Sequence, residues 1–502
     1  MCGICGAVGI RQAAPVVFEG LRRLEYRGYD SAGIATLVDG CVERRRASGK
    51  LDNLHALLEN SPLTGTTGIG HTRWATHGAP TTCNAHPHGT SRVAIVHNGI
   101  IENFETLRRE LENVGQVFET ETDSETIALL VDYHLQQGLP PKDAALQALR
   151  RLEGAYAVAM IFAGHDGLII GACHNAPLAV GFGEQEMFLG SDSLALAPLT
   201  QRIAYMNNGD CVLLSAKGAD FMTFDGTPVE RTVQRTTLTA GAIGKDGYRH
   251  YMEKELQEHP LVTGQTLQRR IDPATRRVVL PELPFDLATV PRAVMTACGS
   301  AFYAAMVGRY WLEEVARLPV DIDVASEMRY RNPPLTPGSL GLLISQSGET
   351  ADTLAALRAL REKSVHILSV LNVEHSSMAR ESDVVLGTVA GPEISVASTK
   401  AFTAQLTVLA CLAIATARSR GVLDPLKEEE LVSALLDLPS RTAEIFKQGE
   451  AIRNMAKIVA EARDVLYLGR GSLFPIAMEG ALKLKEISYI HAEAYAAGEM
   501  KH

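Results

Sequence analysis

The sequence predicts a multidomain protein: an α+β domain comes first, followed by α/β units with parallel sheets, the second of them cut short. Three observations carry this. A chain of 502 residues exceeds what one hydrophobic core organises, and at about 150 residues per domain it points to roughly three. The pattern of apolar runs changes near residue 285. A stretch of the second half also recurs 172 residues further on.

Composition narrows the classes. The charge is 48 Lys+Arg against 58 Asp+Glu, net −10, without an acidic tail or a basic block. That balance disfavours nucleic acid as the main partner. Hydrophobic residues at 46% and charged residues at 21% match an ordinary globular protein rather than a disordered or fibrous one. The nearest thing to a membrane segment is the run of 17 uncharged residues between Lys400 and Arg418. It contains Thr403, Gln405, Thr407 and Thr416, so a buried helix is expected rather than a span. Met1-Cys2-Gly3-Ile4-Cys5 has no charged or long apolar leader, and a cytoplasmic location is expected. Cys2-x-x-Cys5 lacks a second pair for zinc and a preceding strand for a redox dithiol. Reduced cysteines, with no metal and no cofactor, are therefore expected.

Residues 1–240 read as short strands, turns and a few helices, with strand-like runs at 35–38, 93–96 and 156–161 and mostly antiparallel pairing. Residues 241–284 read as a linker, helical over the charged stretch 248–255 and closed by a Pro-bearing boundary loop at 281–291. Residues 285–425 form a first α/β domain, because apolar strands at 293–297, 342–344, 367–371 and 384–386 alternate with helices. Residues 426–502 hold connecting helices and the start of a second such domain. The repeat places Gly299-Ser300-x-Phe302 on Gly471-Ser472-x-Phe474, Ala305-Met306 on Ala477-Met478, and Glu327-Met328 on Glu499-Met500, with 11 identities in 32 ungapped positions. That extent favours duplication. The first copy continues past Tyr330 for about ninety residues, whereas the second ends at the aligned His502. One strand and one helix cannot cover a parallel sheet, so the second unit is expected to be incomplete.

Candidate chemistry begins at Cys2. Once Met1 is removed, its thiol and a free α-amine share one residue, and an amine with a pKa of about 7.7–8.0 can act as base for that thiol. His71 to Gly78 and His97-Asn98-Gly99 follow or end strand-like runs, and Glu121 to Glu125 opens a well-capped helix. An Arg for a carboxylate, an Asn-Gly pair for an oxyanion and an acid for an ammonium suit amide hydrolysis of a free amino acid. Each also has a plainer reading: Asn-Gly as a turn, Asp123 as a cap, Arg73 as a surface ion pair. In the second half, Ser345-Gln346-Ser347-Gly348-Glu349-Thr350 joins a strand to a helix, offering hydroxyls and N–H groups to an anion. No Walker-type or G-x-G-x-x-G motif accompanies it, so a monophosphate fits better than a nucleotide.

Together with Tyr26 to Gly33, the first set of segments resembles the class II (N-terminal nucleophile) glutamine amidotransferases over the first 240 residues. That resemblance implies Cys2 as nucleophile and Asn98 with Gly99 as oxyanion hole. It implies glutamine binding by Arg73, Trp74, Thr76, His77 and Asp123, with Arg73 and Asp123 on the charged ends and Trp74 gating ammonia.

The Ser345–Thr350 element, with Cys298-Gly299-Ser300 and Val396-Ala397-Ser398-Thr399-Lys400, is similar to the sugar isomerase (SIS) domain. A glutaminase domain joined to two SIS domains is the arrangement of the isomerising glutamine:fructose-6-phosphate aminotransferase family. The resemblance implies an enzyme that moves the amide nitrogen of L-glutamine through an internal channel to fructose 6-phosphate, at the first step of amino-sugar synthesis. It assigns Ser300, Ser345, Gln346, Ser347, Thr350, Val396 and Ser398 to the sugar phosphate, Glu486 with Lys483 to proton transfer, and His502 to ring opening. Lys483 and Glu486 lie three apart on one helix face, a spacing that an exposed ion pair also shares. Two departures stand out: Ser300-Ala301 replaces the family's usual Thr-Ser, and no residue matches its C-terminal Schiff-base lysine. The span is therefore expected to hydrolyse glutamine while making little or no amino sugar. Expected partners are L-glutamine, fructose 6-phosphate and a second copy in a homodimer, with no nucleic acid or membrane. A phosphoribosyl amidotransferase is disfavoured by the duplicated SIS-like unit, and a phosphosugar-sensing regulator by the intact N-terminal constellation.

Overall fold

A computed structural model describes residues 2–25, 28, 30–74, 78–236, 244–331, 333–363 and 365–501. They form two compact units, Met1–Gly244 and Lys245–His502.

The first unit is built from strands whose alternating side chains serve two apolar layers at once. In β1 (Gly3–Val8), Ile4 and Val8 point between two sheets, while Cys5 and Ala7 point outward against α1 (Ala13–Leu24). β2 (Ser31–Val38) and β3 (Thr67–Arg73) pair antiparallel, and β3 also pairs with β1, in a sheet of eight strands among the described residues. The facing sheet has six, including β4 (Val93–Ile101), which pairs antiparallel with β5 (Gly154–Phe162). Its outer face, with Ile95, Val158 and Met160, packs on α2 (Asp123–Gln136) through Ile127, Leu130 and Val131. The expected strand-like runs fall inside β2, β4 and β5, and the antiparallel α+β reading holds.

The segment expected as a linker, 241–284, falls mostly within the second unit, which begins at Lys245. Its charged stretch does form helices, α3 (Tyr251–Gln257) and α4 (His259–Gln268). Glu255 accepts the N–H groups of Ile394 and Ser395, and Glu258 pairs with Lys400 at 2.5 Å.

The second unit centres on a five-stranded sheet. β6 (Ala293–Ala297) leads into α5 (Gly299–Glu314) and β7 (Val320–Val324). β8 (Leu340–Ser345), α6 (Ala351–Arg361), β9 (His366–Leu371) and β10 (Val384–Gly387) follow, in the parallel order β7-β6-β8-β9-β10. β7 escapes a search for apolar runs because its Val-Asp-Ile-Asp-Val alternation is that of an edge strand. The apolar helix α7 (Lys400–Ser419) is long and apolar enough to cross a membrane, yet 78% of its apolar 18-residue stretch is buried within the protein. It packs Val408, Leu409 and Leu412 against Met295 and Ala305.

The duplication is visible in the backbone. β11 (Asp464–Gly469), α8 (Leu473–Ser488) and β12 (His491–Ala496) reproduce β6, α5 and β7. Ala293 opposes Val320 and Asp464 opposes His491 in parallel pairs of the same offset. Gly299 and Gly471 both have φ +57°. Among the described residues β11 and β12 make a two-stranded sheet, and Leu466 and Leu468 on it are each 53% exposed.

Candidate functional site

Cys2, the candidate nucleophile, stands where the two sheets of the first unit meet. Cys2 precedes β1, whose pairing with β3 sets Gly3 opposite Thr72 and so carries the thiol to Arg73-Trp74. Its Sγ accepts the Trp74 N–H at 3.3 Å and lies 3.5 Å from the Trp74 carbonyl. Gly28 packs directly on this backbone, since a Cβ on it would sit 2.6 Å from the Arg73 carbonyl carbon and the Trp74 nitrogen.

From the opposite sheet, Asn98 on β4 donates from Nδ2 to the Cys2 carbonyl at 3.1 Å. Gly99 follows with φ +124°, and a Cβ there would fall 2.0 Å from the Ala155 carbonyl oxygen on β5. Only glycine allows β4 to run this close to β5 at this φ. The Asn98-Gly99 pair is therefore part of a strand and not the hairpin turn that Asn-Gly usually marks.

Arg73 and Asp123 are both 4% exposed, which removes the surface ion pair as a reading of Arg73. Arg73 donates to the carbonyls of Ala79 and Gly78. Burial lowers its pKa, and the nearby Cys2, Asp30 and Asp123 oppose that fall. Asp123 is not the helix cap. Thr122 caps α2 by accepting the Glu125 N–H, while Asp123 accepts the Ile101 N–H at 2.9 Å and ties the helix start to the end of β4. Burial pushes the Cys2 thiol up, opposed by the Trp74 N–H and Arg73. A thiol so placed needs a base to ionise, a role that the α-amine exposed by loss of Met1 can fill. Trp74 is 42% exposed. Thr76 and His77 lie outside the described residues.

In the second unit the candidate residues gather at the carboxyl ends of the parallel strands. The chain leaves β6 towards β7 and leaves β8 towards β9, so the crevice between β6 and β8 is a topological switch point, where open α/β sheets bind ligands. Ser345 Oγ accepts the Gly348 N–H at 3.0 Å and lies 3.2 Å from Thr350 Oγ1, and Ser347 Oγ accepts the Glu349 N–H. Gly348, at φ +64°, passes so near Ser376 that a Cβ would lie 1.9 Å from its hydroxyl oxygen. The hydroxyls of Ser345, Ser347 and Thr350 thus cluster at the start of α6, while the Gln346 carbonyl accepts the Asn372 N–H. The loop after β10 reaches the same end of the sheet. There Glu393 accepts the Ser398 hydroxyl and the Thr399 and Ala401 N–H groups, and Val396 is 60% exposed.

Ser300 differs from the other expected phosphate ligands. Its Oγ donates to Glu479 at 2.8 Å and accepts from Lys483 Nζ at 2.9 Å, which ties α5 to α8. Lys483 also meets Glu486 at 2.5 Å and Glu479 at 3.5 Å, so the expected Lys483–Glu486 pair is part of a larger cluster. Burial raises the Glu479 carboxyl above its ordinary range, with Lys483 opposing. Sequence reasoning missed Glu479. Its signal was the four-residue spacing to Lys483, hidden because the repeat aligns Glu479 with Val307 and Lys483 with Trp311. His502 lies outside the described residues. No cluster of three or more His, Cys, Asp or Glu side chains among the described residues could hold a metal ion.

Comparison with known proteins agrees with this division. Residues 80–198 match the glutamine amidotransferase domain family, and residues 286–415 and 458–502 match the SIS domain family. The chain is 67% identical to the glutamine-fructose-6-phosphate aminotransferase (isomerizing) of Gluconobacter oxydans, over all of this chain and 83% of that protein. It is 56% identical to the protein of the same name from Bradyrhizobium diazoefficiens, with the same coverage. The crystallised C-terminal domain of glucosamine-fructose-6-phosphate aminotransferase from Francisella tularensis superposes with a TM-score of 0.50 at 40% identity, over 52% of this chain and 73% of that one.

Proposed function

The chain belongs to the family of glutamine-fructose-6-phosphate aminotransferases (isomerizing), and from that membership we propose roles for its individual residues. The enzyme transfers the amide nitrogen of L-glutamine to D-fructose 6-phosphate, giving D-glucosamine 6-phosphate and L-glutamate. The Cys2 thiolate attacks the side-chain amide carbon of glutamine to give a tetrahedral adduct, which expels its nitrogen as ammonia once protonated and leaves a thioester that water then hydrolyses. Asn98 Nδ2 and the Gly99 N–H stabilise the oxyanion. Arg73 takes the substrate carboxylate and Asp123 its ammonium, with Thr76 and His77 in the same pocket and Trp74 over the ammonia exit. The observation that carries this reading is the convergence of Cys2, Trp74 and Asn98 from three separate segments within hydrogen-bond distance.

In the second unit the hydroxyls and amides of 345–350 hold the sugar phosphate, with Gln346, Val396 and Ser398 on the rim. Lys483 and Glu486 move the proton between sugar carbons. Glu479 and Ser300 hold Lys483 in place, and His502 opens the ring. The working enzyme is a homodimer in the cytoplasm. Eight cysteines without a disulfide support a reducing compartment.

Replacing Cys2 with Ala tests the central assignment. Glutamate release from glutamine should fall roughly 10⁴-fold while fructose 6-phosphate binding by calorimetry is unchanged. Undiminished glutaminase activity would refute the nucleophile. Mass spectrometry of the wild-type chain should show Met1 absent from the active material.

A further inference from the structure

We propose that His71 is a positioning residue for the oxyanion hole, holding the Asn98 side-chain amide so that its NH2 faces Cys2. This rests on the assignment of Asn98 to that hole. His71 Nε2 lies 3.0 Å from Asn98 Oδ1, and Asn98 Nδ2 lies 3.1 Å from the Cys2 carbonyl oxygen. The two contacts fix each other. A carbonyl can only accept, so the end of the amide facing Cys2 must be the NH2. The other end is then the oxygen, and the imidazole nitrogen against it must carry the proton.

The imidazole is held as firmly as the amide it serves. His71 is fully buried on β3, between Ile4 of β1 and Gly33 of β2 in the ladder, and its ring centroid is 4.0 Å from that of His86. Burial pushes its pKa down to about 3, so across the working range it is a neutral ring with one N–H to place. Without that N–H the two ends of the Asn98 amide differ little in shape, and a flipped amide would turn its oxygen towards the developing oxyanion. The contact spans the two sheets, from β3 to β4, so it also fixes the separation at which Asn98 meets Cys2.

The test compares His71→Asn, His71→Gln and Asn98→Ala in the full chain. A Gln side chain can place an N–H near the Nε2 position, whereas Asn is too short. The readouts are kcat and KM for glutamine hydrolysis, affinity for glutamate γ-semialdehyde, which forms a tetrahedral adduct with the thiol, and affinity for glutamate, which does not. His71→Asn should lower kcat and semialdehyde affinity together by about 10–100-fold, with KM and glutamate affinity within about threefold. His71→Gln should stay within about threefold of wild type, and the double variant His71→Asn/Asn98→Ala should lose little beyond Asn98→Ala. Unchanged turnover in His71→Asn, parallel loss of glutamate affinity, or a His71→Gln as impaired as His71→Asn would each overturn the proposal. If His71→Asn does not fold, His71→Gln decides alone, by retaining or losing turnover and semialdehyde affinity. An unimpaired Asn98→Ala would instead remove the oxyanion assignment itself.

Discussion

The two candidate sites solve the same problem, fixing polar atoms to a fraction of an ångström, by opposite means. In the first unit the groups come from residues 2, 73, 98 and 123, and side-chain contacts such as Asn98 to Cys2 and His71 to Asn98 join them across two sheets. In the second unit the candidate phosphate loop is one contiguous segment, in which Ser345 binds Gly348 and Ser347 binds Glu349 within a few positions, and residues 372–378 brace it through bonds to Gln346, Gly348 and Glu349. A site assembled from two sheets depends on the spacing of its scaffold, while a contiguous loop depends on its own sequence and on the one neighbouring segment that braces it. Damage to the scaffold should therefore destroy the first site and spare the second.

Gly99→Ala is the sharpest way to test that contrast and should have the largest effect. The added methyl would meet the Ala155 carbonyl at 2.0 Å, so β4 and β5 must part. Glutaminase turnover should fall by more than about 100-fold, with stability reduced by about 2 kcal/mol in urea denaturation. Fructose 6-phosphate binding should stay at its wild-type value, and its loss would show the sites to be less independent than their construction suggests.

Ser345→Ala probes the other half. It removes one hydroxyl from the candidate phosphate loop and the acceptor of the Gly348 N–H, which should weaken fructose 6-phosphate binding by about tenfold. Glutaminase activity should not change. Equal losses in both activities would dissolve the comparison.

The gentlest probe is acid. His71, His86 and His88 are buried, and burial holds each below its ordinary pKa, His71 at about 3 instead of 6.5. As pH falls through 6.5 the unfolded chain takes up these protons while the folded unit does not. The stability they contribute is complete above 6.5 and is lost progressively below it, for His71 down to about 3, at about 1 kcal/mol per histidine per pH unit. The hydroxyls of the second site do not titrate in this range. The two tryptophans, Trp74 and Trp311, report one unit each, so Trp311→Phe and Trp74→Phe variants followed by fluorescence should show the first unit unfolding at the higher pH.

The same contrast decides how much could be read without a structure. The Ser345–Thr350 loop is legible because strand, loop and helix are contiguous, and the duplication is legible because ungapped identities report a shared backbone, down to the φ of Gly299 and Gly471. β7 was not legible, since an edge strand needs apolar residues on one face only. Glu479 was hidden because the two repeat copies diverge where the second acquires charge. In the first unit the types of group were legible from their motifs, yet Asp123 and Asn98 each kept a plainer reading that sequence could not remove.

The amino-acid sequence by itself determined the order of domains, the repeat, the family and the chemical types in each site, because these follow from periodicity, spacing and local motif. Only the tertiary structure decided that Asn98 lies in a strand and not a turn, that Arg73 is buried, and that the segment after 244 belongs to the second unit. It alone set His71 against Asn98 and Ser300 between Glu479 and Lys483. Those facts depend on which strands and helices become neighbours, and that is settled by the burial of whole apolar faces rather than by any residue taken with its neighbours in sequence.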